Sequence, residues 1–292
     1  MPRTKQASVA RMDRMHCVAD GLFLNYERGL RDQLKLKIRH PYGAENWIEF
    51  YGPDPLNAVD LRVFQILIAL ASDKNYRGPL DYRVEEALRD ALYGQIPFPN
   101  DRLVSVRCSH RDIAREFGYR SAAGKAFSKI RDCIERLAKV TVIDDQAGQR
   151  KTSKLLSTIT DKKTKAIAVC LNPRMARVIL NASLGGYTRI DLTEARALSD
   201  PALLAHMRIC AWLSPGRTHQ LSIATLCGYI WPATNSATAV RNRLRKARKV
   251  MEEIGSLPGW HVIAGERDNS FEITRPKALQ NRKEVSTFGH AA

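Results

Sequence analysis

Apolar and polar positions in the first third of the chain recur with two different periods. Residues 34–51 alternate around the turn-forming sequence PYGA at 41–44, which predicts a β-hairpin. Residues 60–72 are apolar around most of a helix and predict a buried helix. Residues 73–102 are polar, contain prolines and include one short helical stretch at 85–92. We interpret this segment as an insertion.

A seven-residue pattern occurs twice further along the chain. Residues 113–119 read IAREFGY and residues 223–229 read IATLCGY, an offset of 110 positions. In a helix-turn-helix, the small alanine lets the next helix approach closely, and the glycine takes a turn conformation that a Cβ would oppose. The pattern therefore predicts two helix-turn-helix units.

The surroundings of the two copies also repeat. Each copy follows an apolar helix and precedes a basic amphipathic helix and then two alternating segments. The apolar helices are predicted at 60–72 and 201–213, the amphipathic helices at 122–138 and 236–254, and the hairpins at 140–143 with 166–170 and at 260–263 with 271–274. This order predicts an α+β protein with two tandem winged-helix domains related by an internal repeat.

The second amphipathic helix carries the strongest chemical signal. Its apolar stripe is Val240, Leu244, Ala247, Met251 and Ile254, and positions 241–249 contain six cations and no acid. Such cations repel one another unless an anion neutralises them, so we expect contact with DNA, although a solvated amphipathic face is the alternative. The candidate DNA-binding residues of this helix are Thr238, Arg241, Asn242, Arg245, Lys246 and Lys249.

The first copy has a more mixed charge pattern. Opposite the apolar stripe of its amphipathic helix lie Lys125, Ser128, Lys129, Asp132 and Arg136, so a solvated face is again the alternative. The candidates here are Arg120, Ser121, Lys125, Ser128 and Lys129 in the turn and helix, and Arg150, Lys151, Lys154, Lys162 and Lys163 in a basic wing. Arg267 is the candidate in the second wing.

Composition supports a polyanionic partner. The chain has 292 residues, and 47 Lys and Arg against 30 Asp and Glu give a net charge of +17. The length suggests about two domains. We predict a flexible basic arm at 1–20, a first winged-helix domain at 21–175, a second at 176–277 and a C-terminal tail at 278–292, and we expect a fragment 176–292 to keep weak DNA binding.

Enzymatic and membrane functions find no support in the sequence. None of the 6 cysteines lies within four positions of another, so we expect reduced thiols and no metal site. The glycine-rich residues 118–126 lack the spacing and the hydroxyl of a phosphate-binding P-loop. We therefore expect no catalysis and no cofactor. Without a long apolar run or a secretory signal, the expected location is the bacterial cytoplasm.

Several segments resemble replication protein C of IncQ-type plasmids. The similarity covers roughly residues 16–278, and segments 73–102 and 1–15 do not match clearly. The matching segments are HC at 16–17, GLF at 21–23, IEFYGP at 48–53, PL at 55–56, DLR at 60–62, DCIERL at 132–137, LCGYIWP at 226–232 and ITRPK at 273–277. The resemblance implies a tandem winged-helix initiator that binds iteron direct repeats at the vegetative origin, helps to open it and recruits the plasmid helicase, with a primase acting later.

The resemblance also implies that both domains contact double-stranded DNA and that the first can mediate a homodimer. Two other classes of protein compete with this reading. A winged-helix transcriptional regulator would act as a symmetric dimer on a palindrome, whereas two unlike units in one chain predict a monomer on an asymmetric direct repeat. A nickase or a polymerase-like enzyme would leave a covalent or cleaved DNA product.

Overall fold

The computed structural model describes residues 9–27, 29–73, 76–77, 80–93, 103–119, 124–146, 148–161, 163–181, 185–267 and 269–277. Ten α-helices and twelve β-strands lie within these ranges. The helices are α1 (Arg14–Val18), α2 (Ala58–Ser72), α3 (Tyr82–Tyr93), α4 (His110–Glu116), α5 (Gly124–Lys139), α6 (Pro173–Leu180), α7 (Leu192–Ala197), α8 (Asp200–Trp212), α9 (Ile223–Ile230) and α10 (Ala237–Gly255). The strands are β1 (Val9–Asp13), β2 (Leu36–Tyr42), β3 (Asn46–Gly52), β4 (Ser105–Ser109), β5 (Thr141–Gln146), β6 (Gln149–Lys154), β7 (Leu156–Thr160), β8 (Ala166–Leu171), β9 (Tyr187–Asp191), β10 (Thr218–Ser222), β11 (His261–Ala264) and β12 (Ser270–Thr274).

The first half of the chain contains the predicted hairpin and buried helix. Strands β2 and β3 pair antiparallel, with Pro41 opposite Trp47. Helix α2 begins at a capping box, in which the Asn57 side chain accepts from the Asp60 amide and the Asp60 carboxylate accepts from the Asn57 amide. Within the segment interpreted as an insertion, α3 packs Leu88 and Leu92 against β8 in a small separate core. This helix is therefore anchored to the domain.

The wing predicted for the first half is wrong. Strand β5 pairs with β3 and β6, whereas β8 pairs with β4 and β7, so the segments 140–143 and 166–170 belong to different sheets. The residues taken as one long basic tip contain two more strands, β6 and β7. Their polar sequences, QRKTSK and LSTIT, show little apolar alternation, which is why the pattern missed them.

The second half contains its predicted helices and hairpin, but Gly228, expected in a turn, lies within α9, whereas Gly118 of the first copy does take a left-handed turn conformation (φ +89°). Helix α8 is followed by β10, α9 and α10, and β11 then pairs with β12 as expected, with Val262 opposite Ile273. The three strands lie in the order β10-β12-β11. The first half has the equivalent order β4-β8-β7, preceded by α2 and with α4 and α5 between β4 and β7.

Residues 9–20 are folded, in contrast to the flexible arm predicted for 1–20. Strand β1 pairs antiparallel with β9, Val9 lying opposite Asp191. Ala10 and Met12 are fully buried, and α1 packs against α8. The short segment carries no strong local pattern, and its partner lies far along the chain, so the sequence could not indicate this pairing. Residues 1–8 and 278–292 lie outside the described residues.

One continuous hydrophobic core joins the two halves. Helix α2 packs against α8, and buried side chains from both helices belong to the same cluster. Two arginines cross the junction: Arg62 donates to the carbonyl oxygens of Ala195 (2.7 Å) and Leu198 (3.1 Å), and Arg196 donates to the Glu116 carboxylate (2.8 Å). The relative position of the halves is thus fixed by packing and by directed hydrogen bonds.

Most of the cysteine thiols are buried. All six cysteines are free, and five are buried, while Cys227 is half-buried. Burial raises the pKa of Cys17, Cys108, Cys133 and Cys170 to about 12, which keeps these thiols protonated at neutral pH. The prediction that the thiols are mostly buried is confirmed.

His206 lies in the core of the second half. Its Nε2 lies 2.9 Å from Glu194 Oε2 and 3.6 Å from Cys210 Sγ, and Trp260 donates to the same carboxyl group at 3.1 Å. Burial disfavours the imidazolium, but Cys210 and Glu194 outweigh this and raise the His206 pKa from 6.5 to about 9. His206 is therefore a packed residue of the core.

This pKa predicts a pH-dependent stability. A raised folded-state pKa stabilises the fold fully below pH 6.5, and this contribution is lost as the pH rises through about 9. We expect the Tm to fall over that interval. Thermal unfolding followed by circular dichroism at several pH values measures it, and His206→Gln should flatten the decline. An identical decline in this variant would assign the effect to other groups.

Candidate nucleic-acid interface

Helices α9 and α10 form a two-helix unit with a short connection. The Ser222 side chain accepts from the Thr225 amide and begins α9, and Ser236 accepts from the Ala239 amide and begins α10. Pro232 lies in the connection, where its missing amide proton costs no helical hydrogen bond. The predicted start of α10 at residue 236 is its N-cap residue.

The buried face of α10 differs from the predicted stripe at its first position. Ala247, Met251 and Ile254 are buried, as expected, whereas Val240 is 42% exposed. Val240 lines a groove of about 520 Å³ between α9, α10 and residues 20–24. Val240 therefore faces this groove and not the core. Only the C-terminal two thirds of the helix are held in the core.

The six candidate residues of α10 share the opposite face. All of them are exposed, and none forms an ion pair with another described residue. They are Thr238, Arg241, Asn242, Arg245, Lys246 and Lys249. The structure therefore brings four cationic side chains, one amide and one hydroxyl to the same surface. An external polyanion is the ligand that this surface fits.

Two other arginines of α10 hold the helix in place. Arg243 is buried and donates to the Pro232 carbonyl oxygen and to Glu27 Oε1, the latter at 3.3 Å. Arg248 donates to Asn269 Oδ1 at 3.1 Å, in the turn between β11 and β12. These contacts tie α10 to its preceding loop and to the hairpin, so its exposed face has a fixed direction.

The first half presents a comparable but smaller basic surface. Lys125 and Lys129 are exposed on α5, and Ser128 is half-buried and accepts from Arg131 at 3.3 Å. Arg120 and Ser121 lie outside the described residues. Arg136, expected on the same polar face, turns inward and pairs with the buried Asp60 carboxylate at 2.7 Å.

Two arginines at this surface were not predicted. Arg111 of α4 and Arg131 of α5 line a cleft of about 540 Å³ together with Lys165. His110 and Ser128 lie in the same cleft. The sequence signal was available, because both arginines are exposed positions of the predicted helix-turn-helix, but they fall outside the stripe opposite the apolar face. The cleft offers three cations to one phosphate-bearing ligand.

The predicted basic wing is divided between two sheets. Arg150, Lys151 and Lys154 lie on β6, and Lys154 donates to Thr141 Oγ1 at 2.9 Å. Lys163 lies in the turn between β7 and β8, where its amide donates to Asp161 Oδ1 at 2.7 Å, and Lys162 lies outside the described residues. Arg267 is exposed in the turn between β11 and β12. Lys163 and Arg267 therefore occupy equivalent hairpins of the two halves.

Asp161 lies in the turn between β7 and β8, and its carboxylate already accepts hydrogen bonds within that turn. It accepts hydrogen bonds from the Thr164 hydroxyl and from the amides of Lys163 and Thr164. These bonds, led by the one from the Thr164 hydroxyl, lower the pKa of Asp161. Its carboxylate shapes the turn that presents Lys163.

The described ranges hold neither a candidate metal site nor a candidate membrane span. No group of three or more His, Cys, Asp or Glu side chains is placed to hold a metal ion. No described helix is both long enough and apolar enough to cross a membrane.

The family model of replication protein C (RepC) matches residues 4–277. A crystal structure of domains 2 and 3 of RctB has a TM-score of 0.53 at 13% identity, covering 90% of this chain and 98% of that one. A second RctB structure, of domains 2–3, has a TM-score of 0.49 at 11% identity, covering 89% and 95%. No curated protein matches the sequence. The family match begins before residue 16 and spans 73–102, where the resemblance was not clear.

Proposed function

This chain belongs to the replication protein C family, and from that premise we propose that it binds iteron direct repeats at the vegetative origin of a plasmid. Family membership supports a DNA-binding replication initiator. Beyond this, we propose that binding is sequence-specific, helps to open the origin and brings the plasmid helicase to it. The primase would act later, through the opened DNA.

We further propose that the two halves are tandem winged-helix domains. In each half a helix precedes a strand, two helices follow, and the last two strands form a hairpin. The three strands also lie in the same order in both halves, with the last strand in the centre. The common order supports an internal repeat, and the similar RctB domains support the fold as a whole.

The exposed face of α10 is the observation that carries the proposal. A B-DNA major groove admits an α-helix, and Arg and Asn side chains can each form paired hydrogen bonds with the edge of guanine or adenine. Asn242 and Arg245 lie within one turn of each other on that face, with Lys246 and Lys249 beside them. The amide and guanidinium groups would read bases, and the lysines would contact phosphates.

Two recognition helices in one rigid chain favour an asymmetric site. Helices that read successive major grooves lie about 10–10.5 base pairs apart, so one molecule should protect roughly two turns of a single iteron. A transcriptional regulator, the alternative function, would instead protect a palindrome as a dimer. Selection from a random duplex library followed by footprinting separates the two functions: a palindromic consensus would overturn the proposed one.

Substitutions on α10 should reduce discrimination between sequences. We expect Arg245→Ala and Asn242→Ala each to lower the preference for the specific site over a mutated site by about 1–3 kcal/mol, because each removes a paired contact with one base. Competition binding with the two duplexes measures this preference. Circular dichroism checks that both exposed substitutions leave the fold intact.

Lys163→Ala provides the contrasting variant. A lysine that contacts only phosphate should weaken binding to all duplexes alike and leave the preference unchanged. If Arg245→Ala and Lys163→Ala behave identically, α10 does not read bases.

The remaining parts of the proposal concern partners and chemistry. We propose that the first domain can mediate a homodimer, that the chain contacts the helicase, and that it performs no catalytic step. Incubation of the protein with supercoiled origin DNA and helicase tests the last point, since a covalent or cleaved DNA product would identify a nickase.

A further inference from the structure

A four-stranded antiparallel sheet lies outside the repeated plan of the two halves. Its strand order is β2-β3-β5-β6. One face is buried through Ile48, Phe50 and Val142. The other face, which we call the outer sheet face, is formed by every second residue of each strand. Pairing places Arg39 beside Glu49, and Trp47 beside Asp145, which in turn faces Arg150.

Aromatic side chains occupy the middle of the outer sheet face. Trp47 and Tyr51 are half-buried on β3. The Arg39 guanidinium lies 4.5 Å from the centre of the Trp47 ring, and the Arg150 guanidinium lies 5.4 Å from it. Arg39 has 63% of its side chain exposed, so it can move off the ring at little cost. The ring is therefore held in place by cations that a stacking ligand could displace or join.

Positive charges lie on the two edge strands of the sheet, β2 and β6. Lys37 and Arg39 lie on β2, and Arg150 and Lys154 lie on β6, on either side of the aromatic rings. Two acids lie between them: Glu49 is buried, accepts from the Tyr51 hydroxyl at 2.8 Å and pairs with Arg39 at 3.5 Å, while Asp145 lies beside Arg150. Four cations against two carboxylates leave the face positive, with its cations at the rims.

We propose that the outer sheet face binds single-stranded DNA. Unpaired bases expose their π-faces and stack on aromatic rings and guanidinium planes, while flanking cations contact the phosphates. A duplex cannot use such a surface fully, because its bases are stacked on one another inside the helix. The rings lie on a sheet separate from α10, so this single-strand site is distinct from the proposed duplex site. The proposal goes beyond duplex binding and does not depend on it.

The experiment uses the full chain and a labelled dT oligonucleotide of about 16 nucleotides, a length that covers a typical single-strand site. Fluorescence anisotropy should show binding that Trp47→Ala weakens about 5- to 150-fold, the range expected for the loss of one stacked base. Trp47→Phe should retain most of the affinity, because a phenyl ring still stacks. Arg150→Glu, an exposed change at the rim, should also weaken binding.

Two controls separate this surface from α10. Arg245→Ala should reduce binding to duplex DNA and leave dT binding unchanged, whereas Trp47→Ala should do the reverse, which also shows that it folds. Binding of dT that neither Trp47→Ala nor Arg150→Glu weakens would overturn the proposal. So would an acidic peptide, such as polyglutamate, that displaces dT and binds with the same dependence on Trp47, since the partner would then be a protein.

Discussion

Raising the salt concentration from 50 to 200 mM should weaken binding of this protein to its duplex site by about 10³–10⁵-fold. Each phosphate neutralised by a lysine or arginine releases condensed counterions, and about six to ten contacts give a loss of this size. Exposed cations on α10, on α5 and in the two hairpin turns can supply that number. Anisotropy titrations with a labelled duplex at several salt concentrations measure the slope.

Single substitutions give this slope a local test. Lys249→Ala and Lys246→Ala should each reduce the magnitude of the slope of log K against log salt by about 1, because each removes one phosphate contact. Glu252→Ala, which removes an acid one turn beyond Lys249, should leave the slope unchanged or slightly steeper. A slope near zero for the unaltered protein would remove the charge argument for α10.

Deleting residues 1–24 should prevent the second half of the chain from folding stably. The deletion removes β1, the strand paired with β9, and the buried side chains of Met12, Leu22 and Phe23. Loss of one large buried side chain costs about 2–5 kcal/mol, and whole domains are stable by only about 5–15 kcal/mol. Thermal unfolding and hydrogen exchange of the β9 and α8 amides are the measurements.

Deletion of residues 1–8 is the matched control. It leaves β1 and every described contact intact, so the Tm should remain close to that of the full chain. A stable, cooperatively folded protein lacking residues 1–24 would show that the β1–β9 pairing contributes little. A fragment 176–292 lacks β1 and α1, so we now expect it not to bind DNA as a folded unit, in contrast to the weak binding expected from the sequence.

Largely buried ion pairs also hold the N-terminal segment in place. Arg174 of α6 donates to Asp13 at 3.2 Å and to Asp144 of β5 at 2.9 Å. Burial opposes ionisation of Asp13, but His16 and Arg174 outweigh it and lower the Asp13 pKa to about 2. Arg174 therefore joins β1, α6 and the four-stranded sheet through ion pairs that persist at neutral pH.

Local pattern was sufficient where an element is long and amphipathic. The predicted helix 236–254 and the observed α10 differ by one residue at each end, and the second hairpin has its predicted strands. The exposure of all six candidates on α10 also follows directly from the helical period. These predictions depend only on neighbours within a few turns.

Long-range pairing was not accessible in this way. The polar strands β6 and β7 interrupt the first wing, and β1 and β9 come together from distant parts of the chain. Val240 was misplaced because helical periodicity cannot show that this end of the apolar stripe faces an open groove. Arg136 was assigned to the surface because the pattern did not reveal its buried partner, Asp60. In each case the deciding contact is tertiary.

The β1–β9 pairing also limits how such proteins can be recombined. The folded unit that carries α10 is encoded in two separated stretches, one for residues 9–24 and one for the residues from β9 onward. An exchange of the second half alone between relatives would pair a foreign β9 with the resident β1 and a foreign α8 with the resident α1. A chimaera that transfers DNA specificity should therefore carry both stretches from the same parent.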